Sequence, residues 1–165
     1  MKTLFTLTVF AAMLLQSIGF AAEDKVAGPI QVTVKLDRAE YMHGEPGVTY
    51  VMAPTGRLTA TLTVKNVSPA EQKLTFSSGQ KYDFVIRDAK GGEIKRWSAD
   101  MMFTQAFADL TMAAGQEHTY KEVINLGEPG KPLLLGGYTL EGIFTCSTPL
   151  ISAAVPFKII PTPAK

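Results

Sequence analysis

The sequence predicts an all-β protein, an Ig-like antiparallel β-sandwich in which residues 30–160 form a single domain. Eight segments, with two shorter candidates besides, alternate apolar and polar residues, and they recur about every ten residues along the chain. Turns rich in Gly and Pro separate these segments. No long segment has the 3.6-residue periodicity of an amphipathic helix. The 165 residues are enough for one domain with a proper apolar core.

The first 21 residues have the pattern of a cleavable signal peptide. Lys2 precedes an apolar run from Leu4 to Leu15, and small residues end the pattern at Ala21. The run is shorter than the roughly 20 apolar residues that a membrane-spanning helix needs. We therefore expect cleavage after Ala21, a secreted or periplasmic location, and no stable membrane insertion of the processed chain. A membrane anchor is the alternative.

The strands follow in order from the alternation. Ile30 to Leu36 alternates without a break, and Leu58 to Asn66 is the clearest strand, since its alternate positions are apolar and the others are mainly Thr. Shorter candidates occur at Val48–Met52 and Leu110–Met112. Residues 22–29 are expected to form a tether, and residues 161–165 a C-terminal tail. The other predicted strands are Gln72–Phe76, Tyr82–Arg87, Glu93–Trp97, Gln116–Leu126, Leu134–Cys146 and Ala153–Ile160.

Two single residues have structural interpretations. The segment Leu134 to Tyr138 enters a predicted strand and fits a tyrosine corner, in which a Tyr near the strand start bonds its hydroxyl to upstream backbone. Cys146 is the only cysteine, so it cannot form an internal disulfide, and we interpret it as a small buried apolar residue. A reactive thiol or an intermolecular disulfide is the alternative. The expected core includes Leu62, Val64, Phe84, Tyr138 and Leu140.

Little in the sequence points to catalysis. His43 and His118 lack zinc-ligand spacing, and the pair Met42-His43 is only a weak copper pattern. There is no nucleophile elbow, no phosphate-binding loop and no calcium loop. We therefore expect no enzyme, no cofactor and no metal site. Lys and Arg number 16 against 15 Asp and Glu, a balance that argues against nucleic-acid binding.

The segment from Phe76 to Ser98 is the most informative part of the chain. It reads as a β-hairpin, because Tyr82 to Arg87 alternates and Glu93 to Trp97 follows as a partner strand. Asp88 to Gly92 supplies the turn, since Asp bonds to nearby backbone and Gly tolerates positive φ. The stretch from Ala99 to Ala108 is either one helical turn or an irregular loop.

The order of these elements resembles the intracellular proteinase inhibitor (BsuPI-type) family. The resemblance runs from about Leu58 to Ile160, and Gly47 to Arg57 looks like extra length between the first two strands. It implies an Ig-like sandwich that binds a protease and blocks it, with no cofactor. The residues that carry it are Ser78-Gly79-Gln80, Tyr82-Asp83-Phe84, Asp88, Gly92-Glu93, Trp97-Ser98, Phe103-Thr104-Gln105 and Gly137-Tyr138.

The hairpin aromatics have two interpretations, core or contact surface. In the second interpretation, the loop between Trp97 and Phe107 presents Met101, Met102 and Phe103 outward, and side chains of these types are enriched in the centres of protein interfaces. We further expect this loop, Ser98 to Gln105, to lie next to the turn at Asp88 to Gly92. The candidate partner-binding residues are Lys90, Glu93, Met101, Met102, Phe103 and Gln105. The aromatics in question are Tyr82, Phe84, Trp97, Phe103 and Phe107.

Two functions remain open on the sequence. One is an exported proteinase-inhibitor-like protein that binds a protease or another protein without catalysis. The other is a non-inhibitory cell-envelope module that binds or scaffolds a protein partner by strand addition or through a loop.

Overall fold

The computed structural model describes residues 28–43, 56–128 and 131–162, which form thirteen strands and one short 3-10 helix, Trp97–Asp100. The expected signal peptide, most of the tether and the short strand at 48–52 lie outside the described residues. The strands are β1 Ile30–Leu36, β2 Glu40–Met42, β3 Arg57–Asn66, β4 Gln72–Phe76, β5 Tyr82–Asp88, β6 Glu93–Arg96, β7 Ala108–Met112, β8 Glu117–Asn125, β9 Gly127–Glu128, β10 Lys131–Pro132, β11 Gly136–Phe144, β12 Leu150–Ile151 and β13 Val155–Ile160.

The larger sheets pack face to face. Sheet 1 has the order β1-β3-β8, and sheet 2 has the order β2-β13-β11-β5-β6, with β12 beside β11. β4 pairs with β7 in a separate ribbon, and β9 pairs with β10. Buried apolar side chains from both sheets belong to one cluster. The predicted all-β sandwich is therefore confirmed.

One pairing differs from the expected antiparallel pattern. β2 runs parallel to β13, with Glu40 opposite Lys158. The chain leaves sheet 1 after β1 and joins the edge of sheet 2, and Asp37 holds this crossing. Its Oδ1 accepts hydrogen bonds from the Thr59 backbone N–H at 2.8 Å and the Tyr41 hydroxyl at 2.7 Å. A strand of three residues is too short for alternation to reveal.

The core follows the predicted alternation. Four of the predicted core residues are buried, and Tyr138 is half-buried against the cluster; the four are Leu62, Val64, Phe84 and Leu140. The Tyr138 hydroxyl donates to the Leu134 carbonyl oxygen at 2.9 Å, which confirms the tyrosine corner. Cys146 is buried and free, as predicted for a small apolar residue.

The two sheets approach closely at Gly142. A Cβ on this β11 residue would lie 2.3 Å from Cδ1 of Leu62 in β3 and 3.4 Å from Cβ of Val34 in β1. A side chain at this position would displace the buried Leu62 side chain, so glycine suits the close approach of the two sheets here.

Candidate protein-binding site

The β5–β6 hairpin supports the candidate site at the end opposite its turn. Its turn is closed by the Asp88 carboxylate, whose Oδ1 accepts from the backbone N–H groups of Lys90 and Gly92, each at 2.8 Å. Gly91 has a φ of 83°, the left-handed conformation that glycine adopts readily. The predicted turn from Asp88 to Gly92 is therefore confirmed.

Asp83 connects the start of β5 to the segment that follows β6. The residue is only 3% exposed, although it lies on the opposite face of β5 from the core residue Phe84. Its carboxylate accepts hydrogen bonds from the Phe84 N–H at 2.8 Å and from Arg96 Nη1 at 3.0 Å. It also accepts from the backbone N–H and the hydroxyl of Ser98, at 3.2 and 2.7 Å. These bonds satisfy a buried charge and fix the chain where the 3-10 helix begins.

Arg96 extends this network to Glu93. Its Nε and Nη2 donate to the two carboxylate oxygens of Glu93 at 2.9 and 2.7 Å, a bidentate pair. The hydrogen bond from Arg96 lowers the pKa of Glu93, and the same bond raises the pKa of Arg96. Glu93, a predicted contact residue, thus forms part of the support for the hairpin.

Trp97 packs the following loop against the sandwich. Its ring stacks on Tyr82 at 5.0 Å and meets the edge of Phe84 at 6.3 Å. Phe103 lies 6.4 Å from Trp97 and is half-buried. The core interpretation therefore holds for Phe84 and, in part, for Tyr82 and Trp97. Phe107 is 83% exposed, so it is a surface residue.

Tyr82 joins the two sheets beneath Trp97. Its ring stacks on Tyr120 of β8 at 4.5 Å, and its hydroxyl donates to the Glu122 carboxylate. Burial, followed by this hydrogen bond, raises the pKa of Tyr82. Because Tyr120 and Glu122 belong to sheet 1, the support for the loop rests on both layers.

A second anchor holds the far part of the loop. The Gly79 N–H donates to the Thr104 carbonyl oxygen at 2.8 Å. The Gln80 side-chain amide donates to the Tyr82 carbonyl oxygen at 3.2 Å, and the Gln80 carbonyl accepts from the Thr145 hydroxyl at 2.7 Å. Hydrogen bonds to two separate segments of the chain therefore hold Ser78 to Gln80 in place.

Between the two anchors, the chain turns outward. Residues 98–107, which we name the Met loop, begin in the 3-10 helix and continue without regular structure, so both forms left open by the sequence occur in succession. Met102 is fully exposed, and Met101 is 42% exposed. The Gln105 amide donates to the Phe103 carbonyl oxygen at 3.3 Å. The loop thus presents two Met side chains and Phe107 to solvent.

The prediction that the loop from Ser98 to Gln105 lies next to the turn at Asp88 to Gly92 is wrong. Asp83, at the start of β5, contacts Ser98, whereas Arg87, at its other end, pairs with Glu93 beside the turn. The turn and the loop therefore lie at opposite ends of the hairpin, roughly 15 Å apart at the usual strand rise. Lys90 lies at the turn end, away from Met101 and its neighbours.

Sequence reasoning missed the roles of Asp83 and Arg96. The alternation placed Asp83 on the outer face of β5, where a charged residue is normally solvated. Its neighbour on that face, Val85, is fully buried, so this face is covered. The sequence shows a possible acceptor, Asp83, and a possible donor, Ser98, but the order of residues alone does not show that the two side chains meet.

The described ranges contain no group of three or more His, Cys, Asp or Glu side chains placed to hold a metal ion. In the same part of the chain, no helix has the length and hydrophobicity needed to cross a membrane.

A family model described as BsuPI, intracellular proteinase inhibitor, matches residues 48–148, more than half of the chain. The matched range begins inside the segment 47–57 that the sequence suggested as extra length. No curated protein matches the chain significantly. The family description contradicts the expected secreted or periplasmic location, and that prediction is wrong.

Several solved structures resemble this chain distantly. A β-glucosidase from Erythrobacter marinus is 9% identical over 79% of this chain, with a TM-score of 0.44, and the match spans 15% of the glucosidase. The sporulation control protein Spo0M from Bacillus subtilis is 16% identical over 84% of this chain and 51% of its own, with a TM-score of 0.43. The C-terminal domain of wzt is 9% identical over 84% and 77%, with a TM-score of 0.48. At these scores the likenesses carry no argument about function.

Proposed function

The chain belongs to the BsuPI family of intracellular proteinase inhibitors, and we propose from this membership that it binds a protease and blocks it without catalysing a reaction. We further propose that the Met loop makes the central contact. The observation that supports this choice is the convergence of the resemblance-bearing motifs on one loop. Gly79, Asp83, Trp97 and Ser98 hold the loop from both sides and leave Met101 and Met102 exposed.

The support of the loop favours binding. A loop that is already held in one conformation loses less entropy when it binds, so more of the contact energy appears as affinity. Met side chains are flexible and polarisable, which suits them to fill irregular pockets of a partner. Single exposed apolar residues are common on protein surfaces, but Met101, Met102 and Phe107 lie within one short loop.

The same support would protect the loop from hydrolysis. A protease cuts an extended segment that can adapt to its catalytic geometry, and the chain ends of a cut loop must then separate. Here the Ser98 side is tied to the buried Asp83, and the Thr104 side is tied to Gly79. We therefore propose inhibition by occupation of the cleft, with the loop left intact.

A protein-binding or scaffolding module that blocks no protease is the second candidate. The exposed Met side chains would serve such a module equally well, and a free sheet edge would offer strand addition. β6 and β8 are the last strands of their sheets in the described part of the chain. The two candidates differ in one respect, the effect on a protease.

A protease panel separates them. The full chain is incubated with serine, cysteine, aspartic and metalloproteases, and residual activity is followed against peptide substrates. We expect competitive inhibition of at least one protease and an uncut chain by mass spectrometry. Two results would contradict inhibition and leave the scaffolding function. One is undiminished activity of every protease at a high concentration of the chain, and the other is rapid cleavage within the Met loop.

A further inference from the structure

The outer face of sheet 1 carries a regular polar array. Odd-numbered residues of β1, β3 and β8 lie on this face, because the even-numbered residues of β3, from Leu58 to Val64, are buried in the core. Residues opposite one another in the register form rows across the three strands. Three of these rows are Gln31–Lys65–Glu117, Thr33–Thr63–Thr119 and Lys35–Thr61–Lys121.

This face concentrates positive charge. Across the three strands it carries four cations and one carboxylate, Glu117, a net charge of +3, whereas the whole chain has a net charge of +1. Within the ranges that the structure describes, none of the four cations takes part in an ion pair. The four are Lys35, Arg57, Lys65 and Lys121.

The array is open to solvent. Lys35, Lys65 and Lys121 are exposed, and the Thr side chains of the central strand are partly exposed. Lys35 and Lys121 flank Thr61 from the two neighbouring strands, so their backbones are about 10 Å apart. Thr61 lies between the two Lys residues in its row, and the β-branched Thr side chains have restricted χ1 angles.

We propose that this face docks an acidic protein surface. Lysines at this spacing attract carboxylates and steer their approach, and the hydroxyls between them can donate hydrogen bonds to the same groups. The rows contain no aromatic side chain on which bases could stack, and four cations are few for a phosphate backbone. The chemistry therefore favours a folded or extended acidic polypeptide over a nucleic acid.

This surface is separate from the proposed protease contact. The Met loop follows β6 of sheet 2, whereas the Lys and Thr rows point away from sheet 2. The chain can therefore hold an acidic partner on sheet 1 while the Met loop is engaged. The inference does not depend on inhibition, and its test needs no protease.

The test uses fluorescently labelled poly-L-glutamate and the full chain, with binding followed by anisotropy at low salt. The variant Lys35→Glu/Lys121→Glu removes the central pair of cations. The control Lys90→Glu/Lys158→Glu changes the net charge equally at exposed positions that belong to sheet 2 and its hairpin turn. Circular dichroism verifies the fold of each variant.

We expect the sheet 1 variant to bind on the order of tenfold more weakly, with the control near wild type. Binding of the wild type should also fall steeply between about 0.05 M and about 0.5 M salt. Equal weakening in both variants would overturn the proposal, because net charge alone would then explain binding. Failure of the wild type to bind, or tighter binding of duplex DNA or heparin than of poly-L-glutamate, would also overturn it.

Discussion

Gly79 and Thr104 lie in direct contact, 25 residues apart in the chain. The Gly79 N–H donates to the Thr104 carbonyl oxygen at 2.8 Å, and a Cβ on residue 79 would lie 2.4 Å from Thr104 Oγ1. Thr104 therefore packs against the face of residue 79 from which any other side chain would project. This contact anchors the far side of the Met loop.

The substitution Gly79→Ala should displace Thr104 and loosen the Met loop. We expect a loss of about 0.5–1.5 kcal/mol in the free energy of unfolding, because the Thr104 hydroxyl must leave its rotamer to make room. Urea unfolding followed by Trp97 fluorescence measures it, since Trp97 is the only tryptophan. Gly137→Ala is the control, because a Cβ there has open space and its φ is not in the left-handed region. Equal stability of the two variants would show that the contact imposes no constraint.

Removal of the Asp83 carboxylate should release the other side of the loop. Asp83→Ala leaves Ser98 without its acceptor and Arg96 with only Glu93 as an ionic partner. We expect a loss of at least about 1.5–3 kcal/mol, the usual range for a hydrogen bond to a charged group. Thermal unfolding measures the change.

The matched control for Asp83 is Asp109→Ala. Asp109 forms an ion pair with Lys73 at 2.8 Å, but both side chains are exposed. Its loss should change stability little, because solvent screens such pairs. A loss as large as that of Asp83→Ala would mean that burial of the carboxylate is not the source of its effect.

The core position Phe84 should tolerate truncation poorly. Phe84 is 1% exposed and contacts both Tyr82 and Trp97. Phe84→Ala should lower the free energy of unfolding by about 3–5 kcal/mol. Ile94→Ala, at a position that is 45% exposed, should have a much smaller effect. Similar losses by urea titration would contradict the assignment of Phe84 to the core.

Stability should decline at alkaline pH partly through Tyr82. Burial, followed by the hydrogen bond to Glu122, raises the pKa of Tyr82 above its ordinary value of 10.0. The folded state thus holds this proton more tightly than the unfolded state. The resulting stability is fully present below about pH 10 and is lost as the pH rises beyond that value.

The pH effect is measured as the urea midpoint of wild type and Tyr82→Phe at several pH values from about 8 to about 11. The difference between the two proteins should shrink above about pH 10, because Phe cannot ionise. Other tyrosines with raised pKa values, such as Tyr41 and Tyr120, remain in both proteins. A constant difference across the range would exclude the contribution of Tyr82.

Local patterns predicted most of the fold. The alternation of β3 correctly assigned its buried positions, and turn chemistry located the Asp88–Gly92 turn. The parallel pairing of β2 with β13 was not predictable, since it joins short segments that are distant in sequence. The contact between Asp83 and Ser98 was not predictable either, because composition and periodicity do not show which residues distant in sequence come together in the fold.

The arrangement of the candidate site was predictable in part. Hairpin topology alone places the residues after β6 beside the start of β5, so the Met loop and the turn had to lie at opposite ends. The interpretation in which the loop presents Met side chains outward agrees with the full exposure of Met102. The secreted or periplasmic location of the protein was predicted from the apolar N-terminal segment, and the family description contradicts that prediction.

The role of the Met loop is tested most directly by inhibition constants. We would compare Met101→Ser/Met102→Ser with Leu134→Ser/Leu135→Ser, a control that removes two other exposed apolar side chains, 76% and 54% exposed, near the tyrosine corner. The measurement is the inhibition constant of each folded variant against a protease that the wild type inhibits. We expect the Met variant to inhibit about thirtyfold more weakly, as for the loss of an interface anchor worth about 2 kcal/mol, and the Leu variant to match wild type. Unchanged inhibition by the Met variant, or an equal loss in both, would contradict the assignment of the protease contact to the Met loop.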